Sequence, residues 1–142
     1  KIKSFGVSNF TANQMEMFKG KVEVLYNQIN LSLTHLDHIF DGTLEYMQAN
    51  NILPMAYSPL GSYFKGEDSK IIKVVDKFKN KYGCTDYELL ISWLLKHPSK
   101  VYPVIGTTKS NRLKKSVNSL KIEIELIDWF ELLEVSVGKR VP

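Results

Sequence analysis

Pro103-Val104-Ile105-Gly106-Thr107-Thr108-Lys109-Ser110-Asn111-Arg112-Leu113-Lys114-Lys115-Ser116 reads as strand, glycine turn and helix in succession. The apolar run begins at Val101, is broken only by Pro103 and stops at Gly106. Two threonines and a lysine follow, and Ser110 stands where a helix N-cap belongs. Four cations, Lys109, Arg112, Lys114 and Lys115, then fall within seven residues at the helix start. The helix macrodipole favours anions at this end, so the placement opposes it. A bound anion reverses the argument, because free backbone N–H groups, hydroxyls and cations all favour a phosphate. The competing reading is a solvated basic face that happens to fall beside a turn.

Outward from this stretch, strand and helix signals alternate. Ile2 to Val7 is a largely apolar run ending in Ser8-Asn9-Phe10. Thr11 with Gln14 forms a capping box that opens a helix reaching towards Gly20. Val22 to Ile29 is rich in β-branched and aromatic residues and closes on Asn27-Gln28. A polar, histidine-bearing segment leads to a short helix from about Gly42 to Asn50, and Ile52 to Tyr57 is a third strand. Pro54 inside that strand cannot donate to a ladder. After a loop from Gly61 to Asp68, Ile71, Val74, Val75, Phe78 and Tyr82 recur at helical spacing up to Gly83. Thr85 with Glu88 is a second capping box, opening an apolar helix that Pro98 terminates. The last helix, about Glu125 to Val137, offers Leu126, Ile127, Trp129, Phe130, Leu132 and Leu133 for burial.

The order β-α-β-α-β-α-α-β-α-α implies parallel strands joined by helical crossovers. No Gly-x-Gly-x-x-Gly follows any strand, so the dinucleotide fingerprint of the doubly wound fold is absent. Polar residues instead gather past each strand's C-terminal end: Ser8-Asn9, Gln28, Tyr57-Ser58 and Gly106-Thr107. A (β/α)8 barrel builds its site there, with phosphate after the last two strands. Four strands make half such a barrel. The chain also begins at Lys1 without an initiator methionine, and it is expected to be a piece of a longer protein.

Composition narrows the function classes. With 142 residues, 44% hydrophobic and 24% charged, the chain can bury one ordinary core. Its net charge of +4 is mild and acids interleave with the lysines, which argues against a nucleic-acid partner. The single cysteine, Cys84, excludes an internal disulfide and fits a reducing compartment, so a cytoplasmic location is expected. No apolar run approaches the ~20 residues of a membrane span, and no signal-peptide pattern opens the chain.

With these corners in place, the sequence resembles the C-terminal half of an aldo-keto reductase. Gly6-Val7-Ser8-Asn9-Phe10, Asn27-Gln28, Ala56-Tyr57-Ser58-Pro59-Leu60-Gly61 and Pro103-Val104-Ile105-Gly106 occur in family order and spacing. The closing Gly138-Lys139-Arg140-Val141-Pro142 is similar to the ends of bacterial oxidoreductase-type members. The resemblance covers residues 1–142 as one α/β fragment, four βα units of a TIM barrel, whose missing partner is the N-terminal half-barrel or a second copy.

The resemblance implies NADPH as cofactor and a small carbonyl compound as substrate. Ser8, Asn9 and Gln28 are implied to hydrogen-bond the nicotinamide carboxamide, and Tyr57 to stack on the back of the ring. Ser58, Leu60 and Gly61 are implied to cradle the pyrophosphate, Gly61 by permitting close backbone approach. Gly106, Thr107, Lys109 and Arg112 are implied to hold the adenosine 2′-phosphate. Lys115-Ser116 stand where many members carry a Glu-Asn pair on the adenine amino group. The family's catalytic Asp, Tyr, Lys and His have no match here, so this piece alone is expected to be inactive. Tyr57, Tyr63 and Tyr102 lack the Lys and Asp neighbours that lower a phenol pKa. A non-catalytic nucleotide-sensing subunit on the same fold is the alternative.

Other candidates have structural readings beside functional ones. His35 and His38, with Asp37 between them, are spaced like metal ligands on one helical face, but no third ligand lies close, which favours a loop role. His97 reads as a C-terminal helix residue favoured by the dipole. Cys84 sits beside a helix N-terminus, which can lower a thiol pKa, yet it has no His or second Cys nearby. Trp93 and Trp129 lie in apolar stripes and are expected in the core.

Overall fold

The computed structural model describes residues 1–141, leaving Pro142 of the closing motif outside the described residues. Strands β1 (Phe5–Ser8), β2 (Val24–Asn30), β3 (Leu53–Tyr57) and β4 (Tyr102–Pro103) form one parallel sheet in the order β1-β2-β3-β4. The spatial order follows the chain without reversal, whereas a doubly wound sheet reverses at its switch point.

Helices supply the crossovers, and their ends follow local chemistry. α1 (Ala12–Glu16) opens at the Thr11–Gln14 capping box. α2 (Asp37–Phe40) and α3 (Thr43–Ala49) follow β2. α4 (Ser69–Tyr82) is capped by Asp68, whose carboxylate accepts from the Lys70 and Ile71 N–H groups, and it stops at Gly83 with φ +60°. α5 (Asp86–Leu95) opens at the Thr85–Glu88 capping box. α6 (Ser110–Asn118) and α7 (Leu126–Val137) complete the chain.

Alternation decides which face of the sheet is covered. Asn27, Ile29 and Ala56 are fully buried and point towards the helices, where Leu44, Met47, Val75, Phe78, Leu89 and Trp93 complete the core. The opposite face carries Tyr26, Gln28, Met55 and Tyr57, all partly exposed, and Tyr102 at 53% exposure. Register aligns Ser8 with Gln28, Gln28 with Met55, and Met55 with Tyr102.

The structure shortens several expected elements. Ile2 lies outside β1 at 71% exposure, because an edge strand with one neighbour has nothing to hold its start. The fourth strand is two residues rather than five; Val101 is buried without joining the ladder, although Val104 N–H still donates to the Ala56 carbonyl at 2.8 Å. That bond shows Ala56 turned towards β4, and alternation turns Pro54 the same way, beyond the end of so short a strand. Its missing donor therefore breaks no ladder bond. The histidine segment contains α2 and the loop after β3 a 3-10 turn (Tyr63–Lys65), neither of which has apolar periodicity. Leu126 and Ile127 stay exposed, since α7 buries only the stripe of Trp129, Leu132 and Leu133.

Candidate functional site

At the ends of β1 and β2, backbone and side chains lock together. Ser8 Oγ donates to the Gln28 carbonyl at 3.0 Å, and the Asn9 N–H donates to the same oxygen at 2.9 Å. Asn9 holds this with φ +56°, a left-handed conformation that Asn tolerates better than most residues. Asn27, fully buried, fixes the corner. Its Nδ2 donates to the Phe10 carbonyl at 2.8 Å, and its Oδ1 accepts from the Phe10 N–H at 3.3 Å. The sequence motif contained Asn27 but gave it no role; a polar residue at a helix-facing strand position was the available signal. Ser8 Oγ has spent its proton, so towards a ligand it accepts, while the half-buried Gln28 amide both donates and accepts.

The loop after β3 is held by the segment after β2. Ser58, at φ +49°, opens a turn in which Gly61 N–H donates to the Ser58 carbonyl at 2.8 Å. Ser62 N–H donates to Thr34 Oγ1 at 2.9 Å. Gly61 has φ +52°, and any Cβ there would run into Thr34 Oγ1 and Ser32 Oγ. The close approach expected at Gly61 is thus made to this protein's own hydroxyls. Ser58 and Gly61 share a cleft of about 280 Å³ with Asn30, Thr34, His35, Ser62 and Lys65. Asn30 Oδ1 is buried there without a hydrogen-bond partner among the described residues, while Tyr57 pairs with Asn30 in register.

The basic helix begins one residue earlier than its sequence suggests. Lys109 is the N-cap, without a side-chain cap bond, and Ser110 is the first helical residue. Thr107 Oγ1 instead accepts from the Lys109 N–H at 3.2 Å. Gly106 has no left-handed φ and a Cβ there would meet open space, so this turn does not require glycine. Lys109, Arg112 and Lys115 line a groove of about 830 Å³ with Leu60, Phe64, Asp86 and Tyr87. None of these cations forms an ion pair among the described residues. The groove brings Leu60, Lys109 and Arg112 together, while Ser8 and Gln28 meet separately at the sheet's end.

Residues 1–135 match the aldo/keto reductase family. The chain belongs to that family. It is 33% identical to a 6-dehydroglucose reductase of Agrobacterium fabrum, covering 99% of this chain and 49% of that protein. A thermostable aldo-keto reductase solved with the inhibitor epalrestat superposes with a TM-score of 0.85 at 24% identity, over 94% of this chain and 48% of that one. An aldo/keto reductase of Klebsiella pneumoniae, solved with NADP and acetate, gives a TM-score of 0.80 at 23% identity over 93% and 47% of the two chains. The chain thus spans about half the length of the relatives it matches.

Burial is the main cause of the shift at three further groups of this aldo/keto reductase chain, Tyr63, Cys84 and His97. Burial, with Asp86 and Asp76 adding to it, pushes the Tyr63 phenol up to about 12, away from what a proton donor near neutrality needs. Burial likewise pushes the Cys84 thiol up, reinforced by Glu88, so the lowering that a helix end can give is not realised, in keeping with an unreactive cysteine. Burial lowers His97, which stays neutral and accepts the Ser99 N–H on Nδ1 at 3.2 Å; the expected cation at a helix C-terminus is not formed. His38 Nδ1 pairs with Asp41 at 2.9 Å and His35 lies 3.7 Å from Asp37, so the two imidazoles turn to separate carboxylates. Among the described residues there is no group of three metal-ligating side chains and no helix long and apolar enough to cross a membrane.

Proposed function

We propose that this chain is the cofactor-binding half of an NADPH-dependent carbonyl reductase, built as the C-terminal four βα units of a (β/α)8 barrel. The observation that carries the reading is the groove at the start of α6, where unpaired Lys109 and Arg112 flank an uncapped helix end and unpaired Lys115, from the last turn, lines the same groove. This donor set suits a phosphate monoester: a planar guanidinium, two ammonium groups and free backbone N–H groups. The family relationship and the NADP in the Klebsiella relative support it.

NADPH, when bound, supplies the hydride that turns a carbonyl into an alcohol. This chain's residues bind and orient it. Gly106, Thr107, Lys109 and Arg112 hold the 2′-phosphate, and Ser58, Leu60 and Gly61 the pyrophosphate. Ser8, Asn9 and Gln28 take the carboxamide, whose amide needs both a donor and an acceptor. Tyr57 offers its ring face. The proton donor belongs to the other half of the barrel, which also covers the open face carrying Tyr26 and Tyr102.

Nicotinamide fluorescence on titration of the full-length protein, both half-barrels together, with NADPH and NADH, followed by turnover with a panel of small aldehydes and ketones, tests the proposal. Preference for NADPH with carbonyl-dependent oxidation is expected. Tight binding with no oxidation by any carbonyl would instead point to a nucleotide sensor.

A further inference from the structure

One wall of the basic groove is acidic. Asp86, the first residue of α5, lines the groove beside Tyr87, with Lys109, Arg112 and Lys115 on the α6 side. Its Oδ1 accepts from the Tyr87 N–H at 2.9 Å, an ordinary bond for an acid in a first helical turn. Its other oxygen has no partner, and Asp86 forms no ion pair among the described residues, despite three cations in the same groove.

The proton on Tyr87 is accounted for as well. Ser116 Oγ donates its single proton to the Arg112 carbonyl at 2.9 Å. In the 2.7 Å contact between Tyr87 Oη and Ser116 Oγ, the phenol must therefore be the donor. The phenol oxygen keeps its lone pairs and has no further proton to give. The α5 wall is thus made of acceptors: a free carboxylate oxygen and a phenol oxygen.

A carboxylate inside a phosphate groove opposes the bound charge unless it meets a donor there. On an adenine base the exocyclic amino group is the donor, while the ring nitrogens are acceptors; a 6-oxopurine presents an acceptor oxygen in its place. We infer that Asp86, assisted by Tyr87, reads the amino group of the purine and so selects adenine over 6-oxopurine nucleotides. The inference rests on the proposed NADPH site and adds its base specificity. It gives the groove two recognition surfaces: cations from α6 for the phosphate and acceptors from α5 for the base.

The test compares NADPH with its reduced hypoxanthine analogue, which keeps the same ribose, phosphates and nicotinamide, by nicotinamide fluorescence titration of the purified full-length protein. The unmodified protein should bind NADPH more tightly by on the order of tenfold to a hundredfold. Asp86→Asn keeps an acceptor for the Tyr87 N–H and gains an NH₂ that can donate to the 6-oxo group. Its preference should shrink by about tenfold or more, mainly because the hypoxanthine analogue binds better. Tyr87→Phe should shrink it less. The comparison in the unmodified protein needs no variant, so a poorly folding variant does not rescue the idea. Tight NADPH binding with equal affinity for the analogue overturns the inference and leaves the reductase reading standing. Binding of neither dinucleotide overturns both.

Discussion

Trp93 on α5 and Trp129 on α7 stack with ring centroids 5.2 Å apart and planes 8° from parallel. Each indole N–H donates to the other's backbone carbonyl, Trp93 Nε1 to Trp129 O at 3.2 Å and Trp129 Nε1 to Trp93 O at 2.9 Å. Both residues are buried, so each indole N–H finds on the opposing helix the acceptor that water cannot supply. This reciprocal clasp fixes α7 to α5, the helix whose N-terminus forms the acidic wall of the groove.

Trp93→Ala should cost about 3–5 kcal/mol of folding stability, and Trp93→Phe about 0.5–1.5 kcal/mol, because Phe keeps a ring but loses the N–H that bonds the Trp129 carbonyl. A double-mutant cycle with Trp129→Phe in urea should reveal coupling beyond additivity. Strictly additive losses would mean that the two indoles act independently.

The double substitution Lys109→Ala with Arg112→Ala should weaken NADPH by roughly tenfold to a hundredfold for each charge-assisted bond lost, and barely touch NADH. Fluorescence titration with both dinucleotides gives the answer. Equal weakening of the two would remove these residues from the 2′-phosphate.

Tyr57→Ala should lose stacking worth about 0.5–1.5 kcal/mol beyond burial, whereas Tyr57→Phe should bind NADPH almost normally. The ring face is what the nicotinamide needs. A Phe variant as weak as the Ala variant would assign the contact to the hydroxyl instead.

His97 predicts an acid limit to stability distinct from that of the carboxylates. Its imidazole is held below the usual 6.5 by burial, opposed by Glu45. The unfolded chain therefore takes up a proton first as pH falls, which favours unfolding. Stability present above about pH 6.5 should decline below it, until the folded imidazole also protonates. Melting temperatures of the protein and of His97→Gln between pH 7.5 and 5 should diverge, the variant showing the flatter profile. Parallel profiles would clear His97 of this role.

Residues 1–142 by themselves should associate or remain poorly folded, because Tyr26, Tyr102 and Ile2 lie exposed on the open face and at its edge. The edges are a lesser hazard, since β4 is two residues long and contains Pro103. Light scattering on the isolated chain, with a reductase assay alongside, checks this. A monodisperse monomer that oxidises NADPH would overturn the half-barrel reading.

The alternation of four strands with the longer helices, both capping boxes, the Gly83 stop and the polar corners at the strand ends were legible in the sequence, because each depends on residues within a few positions of one another. Thr11 with Gln14 and Thr85 with Glu88 satisfy orphan helix donors locally, whatever surrounds them. Contacts between distant segments were not legible. Gly61 is required by Ser32 and Thr34, Asn27 acts on Phe10 across two strands, and Asp86 shares a groove with Lys109 and Arg112 only through the packing of α5 beside α6. Burial was equally out of reach: it reversed the expectation for His97 and raised the Cys84 thiol, since local sequence sets which charges lie nearby but only the fold decides how much water remains.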